Sequence, residues 1–520
     1  MSTEGARLKL GRISQVKGRS DCYKFFITYL STFFSGATVI SVAPFVFMGG
    51  NSMFTTIETK LLAIASTINA YLSNYLLVFL LLGIGIWYTF KTHFVQIRYF
   101  KEGIKRVFGN FDLNGKKHQH GMSSFQALAT SIAAQVGTGN IIGASGAILV
   151  GGPGSIFWMW IIAFFGMATI YAEATLALKT RVKSEEGEWL GGPVYYIRTA
   201  FKGRFGKFLA AFFAIAIILA LGFMGCMVQA NSIGSTLETA FKIPSETIGF
   251  LLVIICAVVF IGGVQRLAAV VEKIVPIMAI IFMGGSLFIL FSRISYLPET
   301  FFMIIKYAFK PQAILGGSFG YALKTAISQG AKRGLFSNEA GMGSTPHAHA
   351  QANVNHPHEQ AVVAMVGVFI DTFVVLTLNA LVIISTLYTH DGPLAMCGAA
   401  LDSPLNKTNL AQAAFGMVMG KSLGPSFVAI CLLFFAFSTI LSWNMFGKIN
   451  ARYLFGKKSE NIYSFIGLIF IFIGTIASND LVWELTDMFN NLMVIPNTLA
   501  LFVLTKMVIS SLKEIDHRNR

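Results

Sequence analysis

The stretch FQALATSIAAQVGTGNIIGASGAILVGGPGSI, residues 125–156, contains no charged residue and is long enough to cross a bilayer. Its middle, Val136-Gly137-Thr138-Gly139-Asn140, resists a continuous helix. Two glycines flank a β-branched residue there, and each glycine costs about 1 kcal/mol against alanine. Backbone left unsatisfied at membrane depth persists only where it is buried in protein or lines a cavity. A helix broken at this point therefore marks a binding site: its second half opens on free N–H groups suited to an anion, and its loosened carbonyls suit a small cation. The same string also fits an unbroken helix crossing tightly against a neighbour, since Gly139 and Gly143 form a GxxxG pair.

The rest of the chain sets this stretch in a membrane. Of 520 residues, 54% are apolar and only 12% charged, about half the charge of a soluble domain, and the mean hydropathy is +0.65. Forty-eight phenylalanines and fifty glycines suit helices packed closely in lipid. The net charge of +16 does not indicate nucleic acid, because the basic residues recur in the connections between apolar runs. Cys22, Cys226, Cys256, Cys397 and Cys431 show no paired spacing, which excludes a disulfide framework or a cysteine metal site.

Residues 1–24 form a polar, basic tail. The uncharged run Phe25–Gly50 is too long for a signal-peptide core and lacks a cleavage site, so it reads as a retained signal-anchor helix. Eleven further runs follow, near 71–90, 122–150, 153–178, 207–236, 246–264, 270–292, 314–345, 360–388, 424–447, 462–478 and 483–505, making twelve crossings. Connections 89–120, 179–207 and 446–458 and the tail 509–520 are basic; residues 51–70, Gly151–Gly154 and 389–423 are poor in Lys and Arg. Both termini are expected in the cytoplasm of a multi-pass plasma (inner) membrane protein. The loop with Arg293, Lys306 and Lys310 is the exception, basic where an outer loop is expected.

Residues 314–345, LGGSFGYALKTAISQGAKRGLFSNEAGMGSTP, give the first broken segment a partner five crossings later. Interrupted hydrophobic segments at matching positions of two halves indicate an inverted-repeat transporter. The repeats are expected at 122–292 and 312–508, with residues 25–121 supplying two peripheral helices and a basic loop. The break in the second segment is expected at Ser328-Gln329-Gly330.

VGTGNIIG with GGPGSIFWMW, then QANS, RGLFSNEAGMGSTPHAHA and FIDTFVV, resemble the alanine or glycine:cation symporter family, the sodium:alanine symporters, over about residues 72–508. The resemblance implies an all-α polytopic protein with a LeuT-type 5+5 inverted repeat, two discontinuous helices, and two N-terminal helices outside the core. It also implies Na+-coupled symport of alanine or glycine into the cell by alternating access, with Na+ as coupling ion and no cofactor. The family usually has eleven crossings, so a helix at 25–48 is a departure.

A zwitterion needs receptors for both charges. The Gly137–Asn140 turn, through the N–H groups of Thr138 and Gly139, suits the carboxylate, and the Asn140 amide oxygen suits Na+ or the ammonium group. Similarity to the LeuT-type sodium site adds the Ala133 and Val136 carbonyls and the Ser438 and Thr439 hydroxyls. Gln229 is a candidate substrate contact or interhelical hydrogen bond. Ser328, Gln329 and Gly330 are candidate contacts at the second break, and Trp443 either caps the pocket or packs. The acids Glu173, Glu339 and Asp371 are costly at membrane depth; Glu339, near Lys332 and Arg333, is a candidate cytoplasmic gate pair, and Asp371 is a second gate candidate. His347, His349, His356 and His358 look like a metal tract, but the resemblance places them in a cytoplasmic connection and no transition metal is expected. H+-coupled symport stays open as an alternative, as does a channel. No HExxH motif or nucleophile–base set supports an enzyme. Lipid, the amino acid and Na+ are the expected partners, with no nucleic acid and an oligomeric state the sequence leaves open.

Overall fold

The computed structural model describes residues 51–109, 121–185, 187–310, 319–395 and 405–518. The chain divides into Met1–Leu61 and Leu62–Arg520, and the second unit carries the helical bundle. The helix expected at 25–48 lies outside the described residues.

The bundle is built from α1 (Val78–Lys91), α2 (Ser124–Gln135), α3 (Gly139–Gly151), α4 (Ser155–Thr180), α5 (Gly203–Phe241), α6 (Ser245–Ile261), α7 (Gly263–Ser292), α8 (Leu297–Phe309), α9 (Phe319–Asn338), α10 (Pro357–Tyr388), α11 (Leu410–Met419), α12 (Leu423–Phe455), α13 (Ser459–Ile476), α14 (Asn479–Val503) and α15 (Thr505–Arg518). Six of these are long and apolar enough to cross a membrane, or eight if each bent pair, α2 with α3 at 42° and α14 with α15 at 57°, is one span. Fewer helices stand out by length and hydropathy than the twelve runs of the sequence: the run at 25–48 lies outside the described residues, α1 and α6 are only 14 and 17 residues long, and α9 carries Lys324, Lys332 and Arg333. Charges on such a helix are tolerable where they face the bundle interior.

Two halves follow the same plan: α2/α3 to α7, then α9 to α14 without the short α11, each opening on an interrupted helix. This is the LeuT-type arrangement. The α4 helix sits centrally, packed on α9 and α10, while α5 packs on α12 and α13 and α7 packs on α2 and α12. Large apolar side chains such as Ile254, Ile280, Phe288 and Phe302 are exposed along α6, α7 and α8, the faces that lipid would cover.

Contacts define the two ends. At one, Arg181 donates to the carbonyls of Ala350 (2.8 Å) and Ala352 (2.7 Å), Arg452 pairs with Glu188 at 2.6 Å, and Arg98 pairs with Asp516 at 2.7 Å. This end gathers the basic connections and a two-stranded hairpin, β1 (Val182–Lys183) with β2 (Trp189–Leu190). At the other end Trp158 donates to the Ala308 carbonyl at 3.1 Å and Lys407 pairs with Asp480 at 3.0 Å. Arg293, the basic residue out of place in the charge pattern, is there paired with Asp391 at 2.7 Å and bonded to the Ser385 carbonyl.

Candidate substrate and cation site

The first interruption lies where the glycines put it. Helix α2 is anchored by a capping box between Ser123 and Gln126 and stops at Val136, whose φ/ψ of −80°/86° leaves the helical region. Helix α3 resumes with a π-helical stretch, Gly139–Gly143. Between them the Gly137 N–H donates to Asn140 Oδ1 at 3.0 Å, and the Thr138 N–H donates to Gln229 Oε1 at 3.2 Å. Both peptide groups are thus held by side-chain oxygens in place of a helical turn. Glycine is required at two points by close approach: a Cβ on Gly137 would lie 2.5 Å from Thr439 Oγ1, and one on Gly139 would lie 3.0 Å from Ser337 Cα. Of the two expectations for this stretch, the interruption is the one the structure has.

Beside the break, oxygens from two helices converge. Thr439 Oγ1 donates to the Ala133 carbonyl at 2.7 Å and to the Phe435 carbonyl at 3.0 Å, and Ser438 Oγ donates to the same Phe435 carbonyl at 2.9 Å. Ala133, Ser438 and Thr439 are therefore brought together across α2 and α12, with Val136 buried at the end of α2. The Phe435 carbonyl joins them, a backbone oxygen that no side-chain pattern reveals. Neutral oxygens at such spacing suit a hard cation.

The second interruption is displaced from where it was expected. Ser328, Gln329 and Gly330 lie inside the continuous α9. Gly330 serves packing: a Cβ there would come 2.6 Å from the Trp158 Cβ and 2.8 Å from the Ser155 carbonyl. Gln329 lies against Gly151, ten residues and so about 15 Å of helix away from the true break. That break runs from Glu339 to Thr345, with positive φ at Glu339 (57°), Gly341 (87°) and Gly343 (82°). Glu173 and Asn497 hold it: Asn497 Nδ2 donates to Glu173 Oε1 at 2.6 Å and to the Gly341 carbonyl at 2.9 Å, and the Gly341 N–H donates to Glu173 Oε2 at 3.1 Å.

The two interruptions meet. Ser337, one residue short of the α9 terminus, packs against Gly139, and Gln135 Nε2 donates to the Asn338 carbonyl at 2.8 Å. Asp371, in a π-helical stretch of α10 (Phe369–Leu376), receives Asn140 Nδ2 at 2.6 Å, Ser337 Oγ at 2.9 Å and Thr372 Oγ1 at 2.8 Å. Among the described residues, the polar atoms without a partner at the first break include Gln229 Nε2, Thr138 Oγ1 and Gln135 Oε1. A buried donor left unpaired costs about 1–3 kcal/mol, so a ligand that accepts from Gln229 recovers it. Trp443 Nε1 donates to Glu339 Oε1 at 2.5 Å, and its ring lies edge-on to Phe336 at 5.9 Å and against Gly225.

Glu339 does not pair with Lys332 or Arg333, as the sequence suggested; Ser344 and Trp443 bond it instead. The two cations point away from it toward the other end of α9. Lys332 Nζ lies 2.7 Å and Arg333 Nη2 3.1 Å from Asp487 Oδ2, and Arg333 and Lys407 lie over the Trp483 ring. Arg333 precedes Ser337 by one helical turn, so this cluster lies close to the break. Asp487 and Trp483 were missed because only the fold brings α14 to α9. Toward the basic end, a cavity of about 510 Å³ opens between α2, α7 and α12, lined by Gln126, Gln265, Lys448, Arg452 and Glu460 among others. The histidines do not lie in a solvated connection: His347 and His349 are fully buried. His347 bonds Asn450 at 2.8 Å, His349 bonds Gln360 at 3.0 Å and His358 bonds Tyr171 at 2.7 Å, so the rings face different partners.

Comparison with known proteins agrees with this geometry. The profile of the sodium:alanine symporter family matches residues 57–520. A sodium/alanine symporter of Methanococcus maripaludis, AgcS, is 39% identical over 87% of this chain and 96% of its own length. A probable sodium/glutamine symporter of Bacillus subtilis, GlnT, is 38% identical over 87% of this chain and 90% of its own. The crystal structure of MhsT with L-phenylalanine shares the fold at a TM-score of 0.52 and 12% identity, covering 77% of this chain and 99% of that one. The chain belongs to the sodium:alanine symporter family, and is a membrane transporter rather than an enzyme.

Proposed function

We propose that this transporter couples inward movement of alanine or glycine to Na+. The observation that carries the reading is the convergence of the Ala133 and Phe435 carbonyls with the Ser438 and Thr439 hydroxyls, beside peptide groups freed at Gly137–Gly139. A sodium ion inserted there would replace the Thr439–Ala133 hydrogen bond and tie α2 to α12, so occupancy would set the relative position of the two helices. The substrate carboxylate would take the Gly139 N–H and the free Gln229 Nε2, and would displace Gln229 Oε1 from the Thr138 N–H. Its ammonium group would face the carbonyl-rich C-terminus of α9, where the helix dipole is negative. Phe336, Trp443 and Gly225 pack tightly enough to favour a small side chain; one methylene more or less is worth about 1–3 kcal/mol in such a pocket. Ser328, Gln329 and Gly330 drop out of the proposed site.

The basic end is proposed to face the cytoplasm of the inner membrane. The Lys332–Arg333–Asp487 cluster is proposed to close the far end, and the 510 Å³ cavity at the basic end to be the mouth of the release path, which must still open to the buried site. Proton coupling is a second reading, favoured by Asp371 and Glu339, which are buried with no cationic partner among the described residues. Purified protein in liposomes separates the two: alanine is expected to accumulate under an inward Na+ gradient and not when K+ replaces Na+. Accumulation driven by a pH gradient alone, indifferent to Na+, would overturn sodium coupling.

A further inference from the structure

Two buried charges of opposite sign stand at the cavity of the basic end, and neither has a counter-charge among the described residues. Lys448 of α12 lines the cavity and is 6% exposed. Its ammonium group donates to the Phe260 carbonyl at 3.5 Å, a long hydrogen bond, and forms no ion pair among the described residues. Arg452, one turn further along α12, shows the contrast: Glu188 and Glu460 pair with it at 2.6 and 3.3 Å. Both carboxylates on the cavity wall are thus taken up by the arginine and leave the lysine unpaired.

The opposite charge is Glu272 of α7, 5% exposed. Its Oε2 accepts from Gln126 Nε2 at 3.0 Å, and its Oε1 has no partner among the described residues. Gln126 lines the cavity, as do Ala268 and Ala269 about one turn earlier on α7. The carboxylate therefore stands directly behind the wall. Each buried ion bears its desolvation without the attraction that would offset it. A simple ion would satisfy one of them and leave the other, whereas a zwitterion would satisfy both.

The cavity has room for one. Its volume of about 510 Å³ lies in the range of small-molecule sites, and the amides of Gln126, Gln265 and Gln351 add polar groups to its wall. It is separate from the break: Lys448 follows Thr439 by nine residues, about 14 Å along α12. Gln126 also closes the capping box at the start of α2, through Ser123. A ligand that drew Glu272 away from Gln126 would therefore loosen the helix whose other end forms the break.

We propose that this cavity is a second amino-acid site, a station on the release path. The Lys448 ammonium takes the substrate carboxylate there, and Glu272, reached past the Gln126 amide, takes its ammonium group. The proposal rests on the reading above of a small amino acid moving inward, and adds to it a place where the amino acid pauses after leaving the break.

The test is calorimetric titration of alanine into the purified protein in Na+ buffer, for wild type, Lys448→Met and Glu272→Gln. Wild type is expected to bind roughly two alanine molecules per chain, the second in the millimolar range, and each variant roughly one. Lactate, which has the carboxylate without the ammonium group, is expected not to displace the second alanine. A wild-type count of one, a count of two in either folded variant, or displacement by lactate would each overturn the site. If one variant fails to fold the other decides, and if both fail the wild-type count and the lactate competition decide. Failure of the parent reading looks different: the tighter alanine binding would be equal in Na+ and K+ and unchanged in Thr439→Ala, whatever the count.

Discussion

Replacing Gly137 by alanine tests the packing of the break against the proposed sodium oxygens. The added methyl would lie 2.5 Å from Thr439 Oγ1, 3.2 Å from Gln229 Oε1 and 3.3 Å from Thr439 Cβ. Thr439 cannot swing aside easily, because its side chain is stiff at χ1 and its hydroxyl is held by two carbonyls at 2.7 and 3.0 Å. Overpacking a tight site costs about 1–3 kcal/mol, and each 1.4 kcal/mol is tenfold in affinity. The Na+ concentration for half-maximal alanine uptake should therefore rise about 5- to 150-fold. The assay is initial ³H-alanine uptake into proteoliposomes against Na+ at constant ionic strength. Gly83→Ala, a helical position with nothing within 4 Å of the new Cβ, serves as a control expected to match wild type. A correctly folded Gly137→Ala protein with sodium dependence within about twofold of wild type would refute the placement of Thr439 against the break.

Three further outcomes are expected. Asp487→Asn removes the buried carboxylate that Lys332 and Arg333 share and leaves Lys332 only Glu484 at 3.6 Å; breaking a buried pair costs up to about 3–5 kcal/mol, so it should lower the melting temperature more than Lys407→Gln at the cluster's rim. Gln329→Ala should leave the alanine KM unchanged, since Gln329 packs on Gly151 away from the break; a raised KM would return it to the site. At the basic end the His356 hydrogen bond, and then Lys179, hold the Glu514 carboxyl below its usual range. A depressed carboxylate stabilises the fold above its unfolded pKa of about 4.3 and loses that contribution as pH falls through the folded value. The small melting-temperature deficit of Glu514→Gln at pH 7 should thus close as the pH approaches 4.

The first interruption was one of two readings the sequence offered, beside a tight GxxxG crossing, and the second glycine-rich segment five crossings later favoured it. The second could not be placed, because glycine in a membrane helix has two uses. Gly330 lets α9 approach Trp158 of α4, whereas Gly341 and Gly343 take the positive φ that ends the helix. A single sequence shows the glycines and not which of them faces a neighbour. Thr439 and Ser438 were legible through likeness to a family; Phe435 was not, because it contributes only a carbonyl. The Lys332–Arg333 pair looked destined for Glu339, six or seven residues on, but helix geometry sends it to the opposite end and to Asp487, which is 154 residues from Arg333. Asp371 was visible as a buried acid, and its partners Asn140 and Ser337 became visible only when both broken helices were brought against α10.

The most direct measurement is alanine binding to the purified protein with and without Na+, by titration calorimetry in K+ and in Na+ buffer. Linkage requires each ligand to strengthen the other by the same factor. If Na+ bridges α2 and α12 beside the peptide groups of the break that hold the substrate, alanine should bind at least about tenfold more tightly in Na+, and Thr439→Ala should erase most of the difference. Equal alanine affinity in both buffers would contradict a sodium site built into the break.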